Sequence, residues 1–291
     1  MPYNIGGRKI KFIGLGLKLK NLPKLIYAFR RDDIYMKILA VGDIVGESGV
    51  QKLKEMLPKI KQEEQIDFVI TNGENAAGGM GITERNYKDM LISGTDVVTM
   101  GNHTWGKKDI FKFIDDLQII RPANYTKGLP GKGYTIRKVK EKSIAVINLI
   151  GRVDVNVLSE NPFKVANNLV EELKNQVDLI IIDFHAEATA EKIALGYYLD
   201  GKVTAIFGTH THVQTADAKI LPKGTAYITD VGMTGPEHSV IGMDISASIK
   251  RLETTLPEKY KLAEGNCILN GVVFEIDDIT NKVINIKSIQ Y

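Results

Sequence analysis

Five short apolar runs in this 291-residue chain each end on residues that hold cations. Lys37-Ile38-Leu39-Ala40-Val41-Gly42 runs into Asp43, and Asp67-Phe68-Val69-Ile70-Thr71-Asn72-Gly73 runs into Glu74-Asn75. Three more end on Gly101-Asn102-His103, on Phe184-His185 and on Gly208-Thr209-His210-Thr211-His212. Short apolar runs closed by glycine read as buried strands. Strands alternating with helical patterns read as right-handed parallel crossovers. In such sheets the carboxyl ends of the strands form one ligand-binding edge. Asp, Glu, Asn and His gathered there are the donor types that a pair of divalent transition metals takes.

Each cluster alone is weaker than the set. Many strands end in Asp, so Asp43 by itself is as consistent with structure as with function. Glu74-Asn75 says more, because both are poor strand residues. His185, taken alone, reads as a satisfied core histidine. His210-Thr211-His212 is stronger, because on an extended backbone residues two apart face the same side. The chain has five histidines, and four of them (His103, His185, His210 and His212) stand at strand ends; the fifth is His238. The competing catalytic reading, a nucleophilic triad, needs a serine or cysteine on a strained elbow, and no G-x-S-x-G occurs.

Between these clusters the pattern predicts a helix opened by a Ser48–Gln51 capping box, with Val50, Leu53, Leu57 and Ile60 at helical spacing. Pro58 is expected to kink or shorten it. Thr83 predicts the N-cap of a helix to about Ser93, and a further helix is expected from about Lys107 to Asp116. Gly133–Lys140 and Ser143–Leu149 read as a hairpin, followed by a helix opening near Pro162. Asp178–Asp183 and Lys202–Phe207 read as strands around a helix from Glu187 to about Leu199. Short hairpin pieces follow near Lys219–Leu221 and Thr225–Thr229, and Cys267–Ile276 pairs with Lys282–Ile289. One domain, residues 36–291, is expected: two packed sheets with helices outside.

Residues 1–35 differ in character. They carry eight basic side chains against Asp32 and Asp33, a balance of +6, which leaves the remainder at −3 of a total of +3. A basic arm on an anionic membrane surface is one reading. The simpler expectation is a translated leader with the working protein beginning at Met36, since Arg30-Arg31 fits a purine-rich AGGAGG ribosome-binding sequence just upstream. A net charge of +3 does not suggest DNA binding. Cys267 is the single cysteine, which excludes disulfides within the chain and thiolate zinc clusters, and points to a reducing, cytoplasmic setting. No apolar run approaches the ~20 residues of a membrane span.

In order, Gly42-Asp43, Asn72-Gly73-Glu74-Asn75, Gly101-Asn102-His103, His185 and Gly208-Thr209-His210-Thr211-His212 resemble the motif series of calcineurin-like metallophosphoesterases. The wording of Asn72–Gly81, of Asp183-Phe184-His185-Ala186-Glu187-Ala188-Thr189 and of Thr229–Pro236 is similar to the bacterial YmdB-like branch. The resemblance runs from Met36 to the C-terminus. It implies a four-layer α-β-β-α sandwich, a dinuclear centre, phosphodiesterase activity on 2′,3′-cyclic nucleotides and roles in biofilm and motility decisions.

By the same resemblance, Asp43, Glu74, Asn75 and His212 would hold one ion. Glu74, Asn102, His185 and His210 would hold the other, with a hydroxide shared between them. Iron is the first expectation for the metals, with manganese or zinc as alternatives. His103 would be the catalytic acid that protonates the leaving oxygen. Trp105 and His238 are candidate substrate contacts, Trp105 as a stacking surface for a base. Most relatives place a histidine where this chain has Val45, and Asn75 is the available replacement. A phosphomonoesterase or protein phosphatase, or a nucleotide-sensing regulator with slow hydrolysis, are the other readings. The sequence leaves homo-oligomer formation open.

Overall fold

The apolar strand β3 (Tyr35–Val41) has one face in each of two hydrophobic cores, which is why nearly every residue in it is buried. The computed structural model describes residues 35–259 and 261–291. Ahead of them it describes only the backbone of two short strands, β1 (Asn4–Ile5) and β2 (Arg8–Lys9), which pair antiparallel. Apart from these two strands and Tyr35, the expected leader at residues 1–35 lies outside the described residues. Met36–Tyr291 form a compact unit.

After β3 the chain forms β4 (Asp43–Ile44), helix α1 (Gly46–Glu63), β5 (Phe68–Asn72), α2 (Glu84–Ser93), β6 (Val97–Thr99) and β7 (Ile119–Ile120). It continues through β8 (Tyr134–Val139), β9 (Lys142–Ile150), α3 (Pro162–Leu173), β10 (Leu179–His185), α4 (Thr189–Leu199) and β11 (Ala205–Thr209). It ends with β12 (Lys219–Ile220), β13 (Ala226–Ile228), β14 (Met233–Pro236), α5 (Ile245–Thr254), β15 (Cys267–Asp277) and β16 (Val283–Gln290).

One sheet runs β4-β14-β15-β3-β5-β6-β7, with β16 also paired to β15; the other runs β12-β13-β11-β10-β9-β8. Within each, the central strands are parallel: β3, β5, β6 and β7 in the first, and β9, β10, β11 and β13 in the second. Parallel pairing brings their carboxyl ends to one edge.

Three apolar clusters hold the layers. Leu53, Leu57 and Ile60 of α1 and Met90 of α2 pack with Leu39, Val41 and Val69 of the first sheet. Ile38, Ile70 and Phe274 meet Val146, Ile181 and Phe207, joining both sheets. Ile147, Ile182 and Phe184 pack with Val170 of α3 and Leu195 of α4. Each fully buried side chain of this size contributes about 1.5–3 kcal/mol.

Local capping follows the sequence in two places. Thr83 and Asn86 form a reciprocal capping box at α2, and the Asn161 side chain accepts from Phe163 and Lys164 ahead of α3, with Pro162 in its first turn.

Three expectations are corrected. Ser48 and Gln51 lie inside α1, whose N-cap is Val45, with no side-chain cap. Pro58 does not shorten α1, which continues to Glu63; Pro58 and Lys54, whose carbonyl its missing N–H would have bonded, both lie on the exposed face, outside the core. The Lys107–Asp116 helix shrinks to a 3-10 turn at Lys108–Lys112. The N–H of Phe113 bonds Ile110 three residues back, and Asp109 is drawn off to accept from the Glu84 N–H and pair with Lys112.

Candidate metal centre

The seven expected ligands form one connected set. Asp43 opens β4 in the gap left by Gly42, whose missing Cβ would lie 2.1 Å from the Gly232 carbonyl. Glu74-Asn75 follow β5, Asn102-His103 follow β6, His185 closes β10, and His210 and His212 follow β11. Asp43 Oδ2 accepts from the His210 N–H at 3.1 Å. Glu74 Oε1 lies 3.4 Å from His185 Nε2. Asn102 Oδ1 stands 2.8 Å from His185 Nε2, and Asn75 Nδ2 stands 3.0 Å from His212 Nε2. Ligand atoms of Glu74, His185 and His210 all lie within 4.8 Å of one another.

The outer nitrogen of each imidazole shows which nitrogen is free for a cation. Thr209 Oγ1 donates to Asp183 Oδ1 at 2.7 Å, so it accepts from His185 Nδ1 at 2.9 Å. The carbonyl of Ile241 can only accept, so His212 Nδ1 donates to it at 2.8 Å. Glu187 Oε2 lies 3.2 Å from His210 Nε2. His185 Nε2, His212 Nε2 and His210 Nδ1 therefore face inward, and His185 Nε2 and His210 Nδ1 stand only 3.0 Å apart. Two ring nitrogens aimed at each other beside Glu74 form a cradle for a cation.

A second observation fits the same chemistry. Asp43 Oδ1 is buried and accepts no hydrogen bond. A bare carboxylate oxygen is costly in a protein interior unless a cation meets it. Burial pushes the Asp43 carboxyl up, against the pull of His212 and His185. Burial also opposes charge on His185, but Glu74 and Asp43 outweigh it and lift this imidazole to about 9. Burial and then the neighbouring His185 press His210 down to about 3. The carboxylates thus draw positive charge onto His185, beside which His210 stays neutral.

Glycine makes the cradle. A Cβ on Gly101 would sit 2.3 Å from His185 Nε2 and 2.6 Å from Glu74 Oε2. Gly101→Ala is expected to fold but to lose at least about tenfold in metal affinity, in the range of substitutions that misplace ligands. Metal content after equal loading checks this, and a variant that loads like the parent refutes the crowding.

The position of Val45 is also explained. It is 1% exposed, and Cβ atoms on Gly235 and Gly242 would lie 2.9 and 2.7 Å from its side chain. The loop after β14 fills the space a histidine would use, and Asn75 meets His212 instead.

His103 is brought into the cluster. Its Nδ1 is 3.1 Å from Glu74 Oε1 and 2.9 Å from Asn75 Oδ1, its N–H donates to Glu74 Oε2, and its side chain is a third exposed. Trp105 is not drawn into these contacts: its ring stacks with Phe111 and Tyr125 at centroid distances of 5.5 and 6.4 Å. His238 is exposed on the loop after β14, three residues before the Ile241 that holds His212. One expectation about geometry is corrected: His210 and His212 converge with φ of 100° and 64°, a left-handed turn rather than an extended backbone.

Sequence reasoning missed the polar seam behind the ligands. Asp183 accepts from Asn72 at 3.2 Å, from Thr99 at 2.5 Å and from Thr209, joining the edges of both sheets under His185. Its signal was a carboxylate inside Ile180-Ile181-Ile182-Asp183-Phe184.

A family model described as YmdB-like protein matches residues 39–289. The chain is 54% identical over 255 residues to a 2′,3′-cyclic-nucleotide 2′-phosphodiesterase of Bacillus subtilis (strain 168), covering 87% of this chain and 96% of that protein. A crystal structure of a novel phosphatase from Mycoplasma pneumoniae is 40% identical with a TM-score of 0.84, over 88% of this chain and 93% of that one. A hypothetical protein from Thermus thermophilus is 37% identical with a TM-score of 0.83, over 88% of this chain and 99% of that one. With its metal-type donors on the strand ends and this match across nearly all of Met36–Tyr291, the chain belongs to the YmdB-like family.

Proposed function

We propose that this protein is a metal-dependent phosphodiesterase that opens 2′,3′-cyclic nucleotides at a centre of two divalent ions. The observation that carries the reading is the unpartnered, buried Asp43 Oδ1 beside Glu74 and three inward-facing imidazole nitrogens. The B. subtilis relative supplies the substrate class. In the reaction, water adds to phosphorus, the P–O2′ bond breaks, the 2′ oxygen takes up a proton, and a nucleoside 3′-phosphate leaves.

Asp43, Glu74, Asn75 and His212 would hold one ion and Glu74, Asn102, His185 and His210 the other. When bound, such ions supply positive charge to the phosphoryl oxygens and lower the pKa of water toward ~7. The protein's part is to keep the donors fixed. Thr209 and Ile241 lock the tautomers of His185 and His212, and Asp183 ties the two sheet edges together. His103 stands beside the ligands, with its side chain partly open to solvent, where it can deliver a proton to the 2′ oxygen. The three apolar clusters support the four-layer α-β-β-α sandwich of calcineurin-like enzymes as the fold that carries this edge.

The test pairs metal content of anaerobically purified protein with activity on 2′,3′-cyclic AMP, p-nitrophenyl phosphate and a phosphopeptide. Chelation is expected to abolish hydrolysis of the cyclic diester. Restoring iron, manganese or zinc is expected to return it, with 3′-AMP as product. Full activity after chelation sinks the metal reading, and faster turnover of the monoester or phosphopeptide sinks the diester assignment.

A further inference from the structure

Beneath His210 lies a buried ion pair that the reaction does not use. Lys192 of α4 is 1% exposed, and Asp230, between β13 and β14, is fully buried. Lys192 Nζ donates to Asp230 Oδ2 at 2.7 Å and to the Thr209 carbonyl at 2.8 Å. The same Oδ2 accepts from the Thr211 N–H at 3.1 Å, while Oδ1 accepts from the Gly232 N–H at 2.8 Å. The main chain is therefore held immediately before and immediately after His210.

That grip falls where the backbone is least comfortable. His210 and His212 have φ of 100° and 64°, a region that residues with a Cβ avoid and hold only when their surroundings over-determine it. Gly208 makes the approach feasible: a Cβ there would meet the Thr229 carbonyl at 1.8 Å and Lys192 Cδ at 3.1 Å. Buried ion pairs add little net stability, because desolvation offsets their attraction, and their best-attested use is to fix one conformation.

We propose that the Lys192–Asp230 pair is a positioning device for the metal centre. It sets the left-handed turn at His210–His212 before any ion arrives, so that His210 Nδ1 and His212 Nε2 already face the cradle. Neither residue touches a metal or substrate. The inference rests on the metal reading above.

The first test uses the unaltered full chain. Amide hydrogen exchange is followed by NMR without metal and with zinc, which is diamagnetic. The Thr211 and Gly232 amides are expected to be protected in the metal-free protein, with zinc slowing them by less than about tenfold further. A Thr211 amide that exchanges freely until zinc is added overturns the proposal, because the ion would then be building the turn.

The second test uses Lys192→Met and Lys192→Arg, examined by circular dichroism and zinc titration well below their melting points. Lys192→Met is expected to keep native secondary structure, to bind zinc at least about tenfold more weakly, the effect typical of lost outer partners, and to lower kcat with KM within about twofold. Lys192→Arg is expected to recover part of the zinc affinity. A lower melting point with unchanged zinc affinity overturns the proposal and leaves the pair a purely structural feature. If Lys192→Met fails to fold, the exchange result on the unaltered chain decides. An unaltered chain that binds no zinc, iron or manganese refutes the metal reading instead, while the exchange pattern still reports on the turn.

Discussion

Glu74→Ala is expected to strip the centre of its metals and reduce hydrolysis of 2′,3′-cyclic AMP by at least about 10³-fold, while the metal-free protein folds as before. Glu74 is buried at the centre of the cluster: Oε1 lies 3.1 Å from His103 Nδ1 and 3.4 Å from His185 Nε2, and Oε2 accepts from the His103 N–H. A two-metal clamp supplies several kcal/mol of charge stabilisation, and each ~1.4 kcal/mol is tenfold in rate. That is the basis for the size of the loss.

The stability arm of the prediction has an independent sign. Burial opposes charge on Glu74, but His185 and the hydrogen bond from His103 outweigh it and hold its carboxyl well below the usual range. Removing Glu74 takes those attractions away, so the metal-free melting temperature is expected to fall somewhat while the fold is kept. In the parent protein, an ion at 100 times its dissociation constant adds about 2.7 kcal/mol; in Glu74→Ala that increment is expected to vanish. Melts with and without manganese or zinc, beside elemental analysis, measure both arms. A variant that still holds two ions per chain would remove Glu74 from the shared position between them.

Legibility in the sequence divides along physical lines. The convergence of the candidate ligands was readable because each ends an apolar run, and a parallel sheet forces such ends together. His185 and His210 are 25 residues apart yet adjacent across β10 and β11. Helix ends were readable where a side chain does the capping, at Thr83 and Asn161, and misread at Ser48, where backbone and packing from Val45 onward set the start. Strand β14 and helix α5 were not anticipated. β14 contains Gly235 and ends in Pro236, poor strand residues, and is held by pairing to β4 and β15 on distant parts of the chain. α5 carries Ile245, Ile249 and Leu252 at helical spacing, but all three are exposed, so its apolar stripe faces no part of the core. The turn at His210 and the Lys192–Asp230 pair were hidden for a related reason. A lysine in a helix reads as solvated unless its partner, 38 residues later, is known to lie beneath it. Long-range polar contacts leave no periodic trace.

His103→Ala, by contrast with Glu74→Ala, is expected to keep both metals and lose turnover by about 10²–10⁴-fold, the usual worth of a general acid. The side chain does contact the ligand shell, with Nδ1 at 2.9 Å from Asn75 Oδ1 and Nε2 at 3.3 Å from Asn102 Nδ2. Two observations set it apart from the ligands. It is a third exposed, whereas Asp43, Glu74 and His185 are closed off. Its hydrogen bond to Glu74 holds the imidazole above its ordinary pKa against burial, which favours the protonated form a proton donor requires. The 2′ alkoxide is a very poor leaving group, so the missing proton should appear in kcat. A phosphate monoester or diester with a p-nitrophenyl leaving group needs no such help, and the same variant is expected to hydrolyse bis-p-nitrophenyl phosphate with a much smaller deficit. Equal losses on both substrates, with metal content intact, would mean that His103 stabilises charge at phosphorus rather than delivering the proton. Loss of either ion would place it in the coordination shell.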